Sequence, residues 1–380
     1  ALPAGRNVGF RSGAESVERG SLVENLGVPN ALQTARARLI APAAASSGDR
    51  VTSTLPASTI SVVMVSWRTG PVLDAALRAA LSASDVDEVV LVNHGNPAAV
   101  EAKLDALAAS EAKLTLVHTR ANLGFARGCN IGAEAARGDR LFFLNPDTVL
   151  PDGAAARLAE TGELQPTPWI VGARVVYPDG REQRGGRRGA LTPVSALTSF
   201  TGLSRLPGVS RVAPDLHREG EPAPVVDVAM PVVSGAAMMI DRAGFDRLGG
   251  FDEGYFLHVE DIDICRRAAQ AGGSVRFEPR ATVVHHGSTS RVSLFRVETH
   301  KASGLVRYFW MHYPAWPARA VTVCAAPGIY AAVLARAALV KAAQRARNIV
   351  RRREAVARLK RMKAGRAEAD AQAETLRREA

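Results

Sequence analysis

Between Ile60 and Leu144 the chain alternates four short apolar runs with three helix-length segments, and this alternation limits the fold more than any other feature. The runs are Ile60-Ser-Val-Val-Met-Val-Ser-Trp67, Glu88-Val-Val-Leu-Val92, Leu114-Thr-Leu-Val-His118 and Arg140-Leu-Phe-Phe-Leu144. They are rich in β-branched and apolar residues and suit strands buried on both faces of a parallel sheet. Between them lie predicted helices at Val72–Ser82, Ala98–Ser110 and Phe125–Ala136, the last closed by Gly138. Strands alternating with helices of this length imply βαβ units, an α/β class and a mostly parallel sheet flanked by helices. Ligands of such sheets bind beyond the carboxyl ends of the strands. Asn93, Asn122 and Asp147 all fall just past strand ends. Neither G-x-G-x-x-G nor G-x-x-x-x-G-K-[ST] occurs, which argues against a dinucleotide fingerprint and a P-loop.

Further along, Ile170–Tyr177 reads as a strand, followed by a Pro178-Asp-Gly180 turn, a basic stretch Arg181–Arg188 and a Pro/Gly-rich loop. Val232–Ile240 resumes the strand pattern. A short helix ends at Gly249-Gly250, and another opens at Glu260 or Asp261 and stops at Gly272-Gly273. Four parts are expected: 1–58 disordered or weakly structured, 59–316 the α/β domain, 317–340 an apolar helical segment, and 341–380 a basic helical tail. Ala320–Ala335 holds sixteen residues without a charge, between Arg319 and Arg336 and around Pro327-Gly328. A bilayer span needs ~20 apolar residues. The segment therefore reads as interfacial or as a helix packed on the preceding domain, and both readings stay open.

The net charge is +11, and residues 341–380 hold thirteen Lys/Arg against five Asp/Glu, leaving only +3 for the rest. Such a tail suits an anionic membrane surface or is simply a solvated helix. It has no aromatic residue on which a base could stack, so no nucleic-acid partner is expected. Cys129, Cys265 and Cys324 match no zinc spacing and are expected to be buried, reduced thiols. No basic-then-apolar signal peptide opens the chain, so the expected location is cytoplasmic and peripheral on the inner face of the membrane.

Three residues carry candidate chemistry. Asp147 follows an apolar strand, where a carboxylate can hold a divalent cation against a departing diphosphate; Asn-Pro-Asp-Thr is also a good turn. Asp261, at a helix start, can take a proton from a hydroxyl or serve as a cap, a role open also to Glu260 and Asp263. His285 ends the run Ala281-Thr-Val-Val284 as a possible metal ligand, with His286 competing for that role.

The chain resembles the inverting nucleotide-sugar glycosyltransferases of family 2, in particular their rhamnosyltransferase-like branch, over roughly Ser61 to Pro314. The resemblance rests on Asn-x-Gly-Phe-Ala-x-Gly-x-Asn-x-Gly at 122–132 and Leu-Asn-Pro-Asp-Thr at 144–148. It rests also on Gly-Gly-Phe-Asp-Glu-x-Tyr-Phe with Glu-Asp-x-Asp at 249–263, and on Pro-x-Ala-x-Val-x-His at 279–285. It implies a GT-A type nucleotide-binding sheet, Mg²⁺ or Mn²⁺ as cofactor, and a nucleoside-diphosphate sugar donor, dTDP-rhamnose or a UDP-hexose. The implied acceptor is a hydroxyl of a surface-polysaccharide or lipid-linked glycan. By the resemblance Asp261 is the catalytic base, and Asp147 and His285 hold the metal. Ser66, Asn93, Asn122, Gly124, Asn130 and Asn145 form the nucleotide-sugar set. Arg184, Arg187, Arg188 and Glu260 are possible contacts to diphosphate or acceptor. Two corners depart from the family pattern. Val92-Asn-His-Gly-Asn96 replaces Val-Asp-Asn-x-Ser, and Ser66-Trp67-Arg68 replaces Ser-Tyr-Asn. Asn93 can donate as well as accept hydrogen bonds, and Trp67 could stack on a base. The alternative is a catalytically inactive scaffold of this fold in a membrane glycan-assembly complex, suggested by the altered Asn93-His94 corner.

Overall fold

The computed structural model describes residues 58–201, 215–287 and 292–379. Residues 1–57, and with them the expectation of a disordered leader, lie outside the described residues.

The predicted alternation is present. Strand β1 (Ile60–Ser66), α1 (Val72–Ser82), β2 (Glu88–Asn93), α2 (Ala98–Ser110), β3 (Leu114–His118), α3 (Phe125–Ala135) and β4 (Arg140–Leu144) follow in order. Then come β5 (Thr148–Val149), α4 (Ala154–Glu163), β6 (Trp169–Val176), β7 (Arg187–Arg188) and α5 (Pro193–Thr201). The chain continues through β8 (Val228–Ala229), β9 (Val232–Val233), β10 (Ala237–Asp241), α6 (Arg242–Leu248), α7 (Glu260–Gln270), β11 (Ser274–His285), α8 (Leu294–His312) and α9 (Trp316–Glu379).

Among the described residues nine strands form one sheet in the order β3-β2-β1-β4-β10-β6-β11-β5, with β8 paired to β11. β3, β2, β1 and β4 are mutually parallel, β10 runs antiparallel to β4 and β6, and β6 is parallel to β11. A mostly parallel sheet must be covered on both sides, and alternate residues of each strand enter two separate cores. Val63, Val65, Leu141, Phe143 and Met238 pack with Ala126, Cys129 and Ala133 of α3 and with α7. Val62, Met64, Phe142 and Leu144 pack with Leu73, Ala76, Leu77 and Ala80 of α1 and with α4. Those four α1 residues follow the i, i+3, i+4, i+7 spacing of one buried helical face. Gly132 lets α3 lie directly on the sheet, since a Cβ there would stand 2.4 Å from Val63 Cγ1.

Strand order reverses around β1, which has β2 on one side and β4 on the other. That reversal opens a crevice at the carboxyl ends of the strands. Ser66 and Asn93 end β1 and β2, and Asn145 follows β4 directly.

Three expectations change. The predicted strand Val232–Ile240 is broken into β9 and β10 by Ser234-Gly235-Ala236, whose backbone turns to other partners: Ser234 N–H donates to Gly186 O at 3.1 Å, and Gly235 N–H donates to Asp261. Cys324 is exposed, while Cys129 and Cys265 are buried as expected. The apolar segment and the tail form one helix, α9, which passes through Pro327 without ending.

Candidate active site

β4 leaves the sheet through Asn145-Pro-Asp147, and β5 then pairs antiparallel with the end of β11, placing Thr148 opposite His285. This register brings Asp147 Oδ1 within 3.0 Å of His285 Nε2, although 138 residues separate them. Successive residues of a strand face opposite sides. His286 is exposed, whereas His285 lies against Asp147. Asn145 Nδ2 lies 3.2 Å from the same Nε2, and His285 Nδ1 lies 2.5 Å from Gln183 Oε1. Asp147 Oδ1, His285 Nε2 and the Asn145 side chain converge here, and a carboxylate and an imidazole are both groups that a divalent cation can share. A ligating imidazole held through its other nitrogen is the usual arrangement at metal sites. Among the described residues no group of three or more His, Cys, Asp or Glu is placed to hold a metal ion, so a metal here would take its remaining ligands from substrate and water. The donor set thus fits Mg²⁺ or Mn²⁺ shared with a diphosphate.

Asp261 stands in the first turn of α7. The two residues before that helix, His258 (φ 69°) and Val259 (φ 76°), are both left-handed. Each such residue costs about 1–2 kcal/mol, and non-glycine residues held this way cluster at functional sites. No side chain caps α7. Asp261 Oδ2 accepts from Gly235 N–H at 3.1 Å and forms an ion pair with Arg188. Burial pushes the Asp261 pKa up, but the Arg188 charge and the hydrogen bonds from Arg188 and Gly235 outweigh it and hold the carboxyl below its ordinary value. Glu260 behaves oppositely. Burial, then the adjacent Asp261 charge, push its pKa up to about 8. One member of the pair is therefore ionised at neutral pH and the other mostly protonated. Separated carboxyls of this kind divide base and acid roles between them. Asp263 belongs to a structural network instead, accepting from Arg267 Nε at 2.7 Å and lying 2.7 Å from His312 Nε2.

Arg187 and Arg188 are neighbours on β7 and face opposite sides. Arg188 reaches Asp261. Arg187 is 2% exposed, donates to Glu182 Oε1 at 2.6 Å and lies over the Phe277 ring. Arg187 therefore braces the fold and is turned away from ligands. Arg187→Ala should lower stability by about 2–4 kcal/mol, because it leaves the buried Glu182 carboxylate with only the longer 3.9 Å contact to Arg174. Denaturant unfolding checks this, and a shift under 1 kcal/mol would show that Arg187 is not the brace described.

One cavity of about 290 Å³ is lined by Asn145, His285, Arg188, Glu260 and Asp261. A second recess, about 730 Å³, opens beside Arg68, Thr69 and Asn96 at the ends of β1 and β2. Residues 61–220 match the family model described as Glycosyl transferase family 2. The chain carries a family 2 glycosyltransferase domain. It is 26% identical over 281 residues to N-acetylglucosaminyl-diphospho-decaprenol L-rhamnosyltransferase of Mycobacterium tuberculosis, a match covering 68% of this chain and 86% of the relative. Rhamnosyltransferase WbbL of Escherichia coli K12 is 33% identical over 69 residues, 18% of this chain and 26% of that one. Among solved structures, the Pyrobaculum calidifontis mannosyltransferase PcManGT with GDP-Man and Mn²⁺ gives a TM-score of 0.46 at 17% identity, over 76% of this chain and 80% of that one.

Within the glycosyltransferase domain the predicted nucleotide set divides. Ser66 and Asn93 are buried behind the second recess, where Asn96 Nδ2 donates to Ser66 Oγ (2.9 Å) and Asn93 Oδ1 (2.7 Å). Asn93 Nδ2 in turn donates to Glu101 Oε1 at 2.7 Å. Asn93 therefore holds the loop, and Asn96 and Thr69 face the recess. Asn122 Oδ1 accepts from Gly124 N–H at 3.0 Å. Gly124 (φ 91°) permits close approach, since a Cβ there would lie 2.7 Å from Phe256 O. Asn130 brackets α3 to the loop after α6, donating to Phe251 O and accepting from Phe251 N–H, both at 2.9 Å. Arg184 lines the cavity, as do His217, His258 and Lys301, three residues that no sequence motif signals.

Proposed function

We propose that this glycosyltransferase is metal-dependent and inverting, and moves a sugar from a nucleoside-diphosphate donor, dTDP-rhamnose or a UDP-hexose, to a hydroxyl of a surface-polysaccharide or lipid-linked glycan. The carrying observation is that Asp147 pairs with His285, and that His285 and an ionised Asp261 line the same cavity. The nucleotide lies at the ends of β1 and β2, against Thr69 and Asn96. Asp147 and His285 would hold Mg²⁺ or Mn²⁺ beside the diphosphate, and a cation there offsets the charge that develops on the leaving group. Asp261 takes the proton of the acceptor hydroxyl as its oxygen attacks the anomeric carbon. Attack from the Asp261 side, opposite the departing diphosphate, inverts that carbon. Arg188 keeps Asp261 deprotonated and Gly235 N–H orients it. Proton NMR of the isolated product tests the stereochemistry. A linkage opposite in configuration to the donor's supports the reading, and a retained configuration rules it out.

The lipid-linked acceptor is supported by the tuberculosis relative's name and by α9. Residues Trp316–Ile349 are long and apolar enough to cross a membrane, and 11% of their most apolar 18-residue portion is buried. Val333 and Ala337 are buried, whereas Trp316, Val321, Val323 and Leu339 are exposed. A helix packed on one side and apolar on the other suits the plane of a membrane interface. The +8 charge of residues 341–380 adds attraction to anionic lipid on the cytoplasmic leaflet. Deleting 341–380 is expected to weaken binding to phosphatidylserine vesicles at least tenfold, given about 1 kcal/mol per basic residue at the surface. Flotation at low and high salt reads this, and equal binding to neutral and anionic vesicles would remove the electrostatic contribution.

A further inference from the structure

The corner that ends β2 carries a continuous series of side-chain hydrogen bonds. β2 and β3 run parallel with Asn93 opposite His118, and Glu101 comes from α2. Asn93 is fully buried. Its Nδ2 donates to Glu101 Oε1 at 2.7 Å and lies 2.9 Å from His118 Nδ1. An amide nitrogen only donates, so His118 Nδ1 accepts there. The ring proton is then on Nε2, which donates to Asp105 Oδ1 at 2.9 Å. Asn93 Oδ1 accepts from Asn96 N–H at 3.1 Å and from Asn96 Nδ2 at 2.7 Å. Asn96 Nδ2 gives its second hydrogen to Ser66 Oγ at 2.9 Å, and Ser66 Oγ lies 3.0 Å from Thr69 Oγ1.

One orientation satisfies the whole series. Turning the Asn93 amide over would set its oxygen against the Glu101 carboxylate and its NH₂ against that of Asn96. Buried polar groups left without partners are costly, so Glu101 fixes Asn93, and Asn93 fixes Asn96. Asn96 and Thr69 line the recess of about 730 Å³ at the ends of β1 and β2, whereas Asn93, Glu101 and His118 are not among its lining residues. Both hydrogens of Asn96 Nδ2 are used inside the protein. The carboxamide oxygen is therefore the group of this side chain left for a ligand, and it can only accept a hydrogen bond.

We propose that the nucleotide base is read at Asn96 and not at Asn93, with Glu101 and His118 as positioning residues that act through Asn93. An oriented acceptor suits a base that presents a ring N–H, as uracil and thymine do and cytosine does not. This rests on the glycosyl-transfer reading, in which the recess holds the nucleotide. The series also makes a carboxylate at position 93 harmful. Asn93→Asp would put one where Nδ2 now meets Glu101 at 2.7 Å, and neither group could donate to the other.

Calorimetry on the full chain with Mn²⁺ tests it, using UDP, dTDP and CDP as probes. UDP or dTDP should bind about tenfold tighter than CDP, the size expected when a buried acceptor loses its donor. Asn96→Ala should remove that preference. Asn93→Asp should weaken UDP or dTDP binding about tenfold. Adding Glu101→Gln to Asn93→Asp should recover most of the loss, because the glutamine amide can donate to the new carboxylate. Such a rescue is the coupling expected of two groups in one hydrogen-bond network. Thermal melting confirms that each variant is folded, and Asn96→Ala carries the test alone if Asn93→Asp does not fold. Equal binding of UDP, dTDP and CDP, or a folded Asn96→Ala that keeps the preference, would overturn the assignment to Asn96. A folded Asn93→Asp that binds normally, or no recovery with Glu101→Gln, would overturn the positioning role. If the unaltered chain binds no nucleoside diphosphate at all, the glycosyl-transfer reading itself fails.

Discussion

Asp261→Asn is expected to lower turnover by about 10³-fold, within the range that a positioned general base contributes. The substitution preserves shape and the hydrogen bond from Gly235 N–H, which the amide oxygen can accept. It removes the negative charge that faces Arg188 and the basic oxygen that receives the proton. Nucleoside-diphosphate affinity should stay within about twofold, because Asp261 is held by Arg188 and Gly235 while Asp147 pairs with His285. Losing one partner of a buried ion pair also destabilises the fold, so the thermal midpoint should drop even though the variant folds. The informative pattern is a collapse of kcat with donor binding retained. A variant that turns over normally would take the base assignment away from Asp261, and Glu260 would be the next carboxyl to test.

Asp147→Ala should have the second-largest effect, on the order of 10²–10³-fold in turnover, since a metal at a developing diphosphate charge contributes several kcal/mol. Its particular signature lies in binding. Addition of Mn²⁺ should tighten nucleoside-diphosphate binding in the unaltered chain and leave it unchanged in the variant. The Asp147 carboxylate faces His285 Nε2 at 3.0 Å, and without it the imidazole and Asn145 form no hard anionic site. Metal-stimulated nucleotide binding that survives the substitution would mean that the cation sits elsewhere.

The first four strands are legible in the sequence nearly to the residue, because a strand buried on both faces must be apolar throughout and its ends are marked by polar residues. Ser66, Asn93 and Asn145 could be placed at strand ends for the same reason. Other features were not legible because they depend on tertiary partners. Nothing local in Val232–Ile240 signals the break at 234–236, which exists because Gly235 N–H turns to Asp261 and Ser234 N–H to Gly186. An asparagine near a strand end looks the same whether its amide is free for a ligand or already meets another protein group, as in Asn93 and Asn130. Arg187 and Arg188 are equivalent as letters, and only the facing of β7 sends one into the core and the other to Asp261. Lys301 and His217 come from a helix and a loop bridge with no motif around them. The continuous α9 was hidden by Pro327, which usually ends or kinks a helix.

The most direct test of the central claim is nucleoside-diphosphate release. Purified protein, with Mg²⁺ or Mn²⁺ and a membrane extract as acceptor source, would be given UDP-, dTDP- and GDP-sugars in turn, beside Asp261→Asn and a metal-free control. The account predicts release from one donor, dTDP-rhamnose or a UDP-hexose, that disappears without metal and falls about 10³-fold in the variant. Release that is equal in the variant, or no release and no donor binding from any sugar, would contradict it.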